Sequence, residues 1–76
     1  MTVDLNRVKA ERVAHNMTQE QLATKIGWKR AKYAKREAGI ISLGANELAL
    51  IAGALDIDDL GIFFAQTVDK RERGEK

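Results

Sequence analysis

The segment from Thr18 to Gly39, TQEQLATKIGWKRAKYAKREAG, constrains the fold more than any other part of the chain. It holds two runs with helical spacing, each too short to stand alone, because isolated helices below about 12–15 residues are marginal in water. Thr18 is a strong N-cap, and Gln21 three residues on completes a capping box. Leu22, Ala23 and Ile26 then recur on one side of a helix expected over 19–26. Met17 and Leu22 have the spacing of a hydrophobic staple around that cap. Gly27 follows at once, a second helix is expected over 29–37, and Gly39 suits the left-handed residue beyond its end. Two short helices joined through one glycine must pack on each other and on a shared core.

The flanking sequence supplies that core. A helix is expected over 4–15, with Leu5, Val8 and Arg12 on one side and Asn16 tolerating a left-handed ending. Another is expected over 45–55, where Leu48, Ile51, Ala52 and Leu55 share a face. Asp58 or Asp59 opens a fifth, carrying Leu60, Ile62, Phe63, Phe64 and Val68, and neighbouring Asp56 is assigned to the same capping. Residues 40–43 are apolar and uncapped, and so are expected as a loop pinned onto the core. Nothing alternates with the period of a strand, and there is no proline. The fold class is therefore all-α with five helices, in one domain over 1–68. The charged remainder at 69–76, DKRERGEK, is expected to be disordered.

Charge gives the first pointer to function. Residues 25–36 carry Lys25, Lys29, Arg30, Lys32, Lys35 and Arg36 and no acid, a local charge of +6 in a chain whose net is +2. Such concentration favours a polyanion-binding face over a merely solvated surface. A basic helix placed second after a tight glycine turn is the pattern of a helix-turn-helix, whose second helix enters the major groove of DNA.

These residues resemble the phage repressor and Cro-like helix-turn-helix proteins, also called the XRE type. The run Met17-Thr18-Gln19-Glu20-Gln21-Leu22-Ala23, then Ile26-Gly27, Glu37 and Gly39, carries the resemblance, and 39–57 continues it with Ala52, Leu55 and Ile57. It extends over roughly 5–63 and implies a compact, five-helix, lambda-repressor-like DNA-binding domain. By resemblance, Lys29, Arg30, Ala31 and Lys35 are placed at base edges. Arg30 has the geometry for a bidentate contact to guanine, and Ala31 suits a thymine methyl. Gln19 and Thr18 are placed at DNA phosphates, where a helix N-terminus favours an anion. Lys32 joins them as a phosphate contact, with Lys35 or Lys29 as alternatives. Relatives often have Gln, Ser or Thr where this third helix is basic, which leaves the base identity open. The resemblance also implies a structural ion pair between Arg12 and Glu37.

The implied function is a sequence-specific DNA-binding transcription regulator. It is expected to be a cytoplasmic repressor binding a two-fold symmetric operator as a homodimer, with no cofactor and no metal. Leu60, Phe63 and Phe64 are the candidate dimer surface, the alternative being that both rings complete the monomer core. At this length the chain is either a complete Cro-sized regulator or the N-terminal part of a longer repressor. The alternative function is a protein-interaction module of the same fold, such as an antitoxin or antirepressor.

Other classes are disfavoured. His15 is the single histidine, and there is no cysteine, no phosphate-binding glycine loop and no carboxylate pair set apart from helix caps, so neither a thiolate metal site nor an enzyme is expected. His15 instead complements the end of the first helix. Trp28 is expected to pack rather than touch DNA, and Tyr33 to face the core. Trp28 and Tyr33 fall on nearly opposite sides at about 100° per residue, so WKRAKYAKR has no continuous apolar face for a membrane.

Overall fold

The computed structural model describes residues 2–64. Four α-helices, α1 (Leu5–Ala14), α2 (Gln19–Lys25), α3 (Arg30–Glu37) and α4 (Ala45–Ala54), precede a 3-10 turn over Leu60–Phe63. Where a fifth helix was expected, the described residues make only this turn, so the all-helical class holds with four helices. Asp59 caps the turn by accepting from the Gly61 amide at 2.9 Å. Phe64 is already extended and bridges Val3 antiparallel, while the Asp4 amide donates to the Phe63 carbonyl at 2.6 Å. That clasp breaks the helical backbone at Phe64. Val68 and the 68/69 boundary lie outside the described residues.

The start of each helix is written locally. The Asp4 carboxylate accepts from the Arg7 amide at 3.2 Å. Thr18 and Gln21 form the reciprocal capping box, at 3.0 and 2.8 Å. Glu47 reaches back to the Gly44 amide at 3.0 Å to open α4.

All four helices end in the same way. Asn16, Gly27, Gly39 and Asp56 adopt left-handed backbone with φ of 59°, 80°, 84° and 57°. The amide of the following apolar residue, Met17, Trp28, Ile40 or Ile57, then donates back to the carbonyl of Arg12, Ala23, Lys35 or Ala52. This is the Schellman arrangement, repeated four times. Asp56 thus terminates α4 and does not cap the segment after it, a correction to the expected role.

Val8, Leu22, Ala23, Tyr33, Leu48, Ile51, Ala52, Leu55 and Phe63 form one buried core drawn from every element. The 40–43 loop departs from expectation. Leu43 packs on the core, but Ile40 is 73% and Ile41 39% exposed. Both of their amides donate to the Lys35 carbonyl, at 2.9 and 3.2 Å, so backbone bonds fix this half of the loop without burial of the two isoleucine side chains. Among the described residues, no helix is long and apolar enough to cross a membrane.

Candidate nucleic-acid interface

α2 and α3 are held at a fixed angle by the backbone of the turn between them. The Trp28 amide donates to Ala23 at 2.8 Å and the Gly27 amide to Thr24 at 3.1 Å. Leu22, Ala23 and Tyr33, all fully buried, fill the angle between the helices. Tyr33 sits on the inward side of α3, which leaves Lys29, Arg30, Ala31, Lys32 and Lys35 exposed on the outward side.

A single carboxylate anchors this pair to α1. Glu37, in the last turn of α3, accepts from Arg12 Nε at 2.8 Å and Nη2 at 3.2 Å. It also accepts from the Tyr33 hydroxyl at 2.6 Å and from Gln19 Nε2 at 2.8 Å. Arg12 donates its remaining nitrogen to the Met17 carbonyl at 2.7 Å. The Arg12 and Glu37 side chains are only 10% and 6% exposed. Burial alone would push the Glu37 carboxyl up, but the hydrogen bonds from Arg12, Tyr33 and Gln19 outweigh it and hold its pKa below the usual carboxylate value. The Tyr33 hydroxyl is driven well above its ordinary value, first by burial and then by its bond to Glu37.

The basic segment divides into committed and available charges. Lys25 donates to the Ala54 carbonyl at 2.8 Å, neutralising the C-terminal end of α4. Arg36 pairs with Glu47 at 3.0 Å and donates to the Lys32 carbonyl at 2.9 Å, bracing α3 against α4. The same Glu47 carboxyl is held below its usual pKa, chiefly by the Gly44 amide and then by Arg36. Lys32 lies over the Trp28 ring at 4.6 Å. Arg30 Nη1 touches Gln19 Oε1 at 3.3 Å, and Lys29 and Lys35 make no hydrogen bond or ion pair among the described residues. The charge available to a ligand therefore comes from Lys29, Arg30, Lys32 and Lys35.

Thr18 and Gln19 lie at the start of α2 beside Arg30, at the edge of this surface. The Thr18 hydroxyl is taken by the Gln21 amide, and the Gln19 amide group is shared between Glu37 and Arg30. Phe63 is completely buried and offers no area to a second molecule, whereas Leu60 and Phe64 are only partly covered. His15 Nδ1 lies 2.8 Å from the Glu11 carbonyl, within its own helix end. Sequence reasoning missed the commitments of Lys25 and Arg36, whose partners lie 29 and 11 residues away. The one local signal was Glu47, an acid placed three residues after a cap glycine. An open groove of about 350 Å³ beside the 40–43 loop is lined by Thr2, Val3, Leu5, Gly39, Ile41, Ser42 and Leu43, none of them charged.

A family model described as helix-turn-helix matches residues 8–61, from the first buried residue of α1 into the 3-10 turn. No curated protein and no solved structure matches the chain.

Proposed function

We propose, from the premise that this chain belongs to the Cro/cI-like, XRE-type helix-turn-helix family of DNA-binding transcription regulators, that it is a repressor that binds a two-fold symmetric operator as a dimer. α3 enters the major groove. Arg30, Ala31 and Lys35 meet base edges together with Lys29, while Lys32, Thr18 and Gln19 serve phosphates. The observation that carries this reading is the division of α3 into two faces. Tyr33 is fully buried, and every basic side chain of the outward face except Arg36 is left without an acidic partner among the described residues.

Arg30 is the side chain best suited to sequence discrimination, because a guanidinium matches the two acceptors of guanine in a plane. Its contact to Gln19 is long and exposed, so a base edge can replace it at little cost. For Gln19 the donor to a phosphate is the amide nitrogen: one of its two N–H groups goes to Glu37 and keeps the side chain in place, and the other is the one offered to the anion. We assign the dimer contact to Leu60 and Phe64, which retain exposed area, and not to Phe63. Two copies would then address half-sites about one helical turn apart.

The test is selection from random-sequence duplexes followed by readout of the bound set. A two-fold symmetric motif is the expected outcome. Binding that is uniform across sequences would remove operator recognition, and binding that does not weaken with salt would remove DNA as the ligand.

A further inference from the structure

The turn residue Trp28 lies outside α3, yet two cations of that helix converge on its ring. Lys32 Nζ is 4.6 Å and the Arg36 guanidinium 5.3 Å from the ring centre. Lys32 and Arg36, four residues apart on α3, share one side of the helix, and the turn before it brings the Trp28 ring against that side. The two cations are not equivalent. Arg36 is locked by Glu47 and by the Lys32 carbonyl. The Lys32 ammonium has no hydrogen bond or ion pair among the described residues; it lies over the indole face and within the field of the Glu47 carboxylate, which Arg36 already pairs.

We infer that Trp28 is a positioning residue for DNA binding, holding the Lys32 ammonium where a backbone phosphate will meet it. The inference rests on the reading of α3 as the DNA face. A free lysine has many rotamers, and gathering them at one place on binding costs affinity. An indole is the strongest aromatic partner for a cation and removes part of that cost in advance. The ring can do so because its own position is fixed. Trp28 packs partly into the core, its amide is tied to Ala23, and Arg36 lies against it under restraint from α4. Cation and ring still leave the ammonium protons exposed, so a phosphate can bind without displacing the lysine.

The experiment is a double-mutant cycle on one duplex, with dissociation constants measured across a range of salt. Trp28→Leu should weaken binding about two- to fivefold, the weight of an exposed cation–π contact. The same replacement made in a Lys32→Met chain should change binding less than twofold. Lys32→Met alone should lower the salt slope by about one unit. Trp28→Phe, which keeps a ring in the core, should give an intermediate loss and serves where the leucine variant does not fold. Equal losses with and without Lys32 would make Trp28 merely structural and overturn the inference. So would a Lys32→Met chain with unaltered affinity and slope. If the unmutated chain shows no salt-dependent binding, the DNA reading itself fails, a result separable from these because it needs no variant.

Discussion

Replacing Arg12 by Met tests how much of the fold depends on the junction at Glu37. The substitution keeps most of the aliphatic bulk and deletes three hydrogen bonds: two to Glu37 at 2.8 and 3.2 Å and one to the Met17 carbonyl at 2.7 Å. It leaves a carboxylate 6% exposed with only Tyr33 and Gln19 as donors. Stranding one member of a buried pair costs about 3–5 kcal/mol, and the two surviving bonds put this case near 3. For a domain of this size that corresponds to a fall of about 12–24 °C in Tm. The cost should depend on pH. In the native protein the Glu37 pKa is depressed, so its contribution is present above about 4.3 and is lost as pH falls through the lowered value. In the variant, burial without Arg12 raises that pKa, so destabilisation grows as pH rises past about 4.3. The gap between the two proteins is therefore widest near neutrality and narrows in acid. Urea unfolding followed by circular dichroism at pH 7 and pH 3.5 measures both values. Adding Glu37→Gln should recover more than half of the loss at pH 7. A deficit below about 1 kcal/mol at pH 7, or one that does not shrink in acid, would show that the pair is solvated and refute the reasoning.

Tyr33→Phe removes the 2.6 Å bond to Glu37 and should cost about 1.5–3 kcal/mol. Because the native Tyr33 pKa is raised, its contribution is intact below about pH 10 and lost above it, and alkaline unfolding curves of the Phe variant should lack that limb. Gly53→Ala meets no atom within 4 Å of the new methyl group and should stabilise α4 by about 0.5–1 kcal/mol in a thermal melt. Arg30→Ala should relax preference at one base position and cost about 1–3 kcal/mol on the selected operator. An equal loss on random duplex would make Arg30 a phosphate contact instead.

What could be taken from the sequence was whatever is encoded within a few residues. The Thr18–Gln21 box, the left-handed Asn16 and Gly39, and the buried faces of α1 and α4 depend on neighbours three or four positions away. The meeting of Arg12 with Glu37, 25 residues apart, came from family resemblance and not from spacing. Interactions across elements without such a precedent were invisible. Nothing local distinguishes Arg36, braced on Glu47, from Lys35, which faces solvent one residue earlier. The same holds for adjacent Phe63 and Phe64. Their burial differs because the chain turns extended at Phe64 to reach Val3, a partner 61 positions away. Asp56 was misassigned because an acid between two helical segments fits either a start or an ending, and only its φ of 57° decides.

The corner at Gly27 is made of main-chain bonds and is filled from beneath by Leu22, Ala23 and Tyr33. None of these belongs to the outward row formed by Arg30, Ala31 and Lys35. Within the eight-residue rod, the side chain that holds the angle, Tyr33, and those of the outward row are therefore different residues. If the row reads bases as proposed, selection can rewrite it, and with it the preferred binding sequence, while the angle at which the rod is offered stays the same.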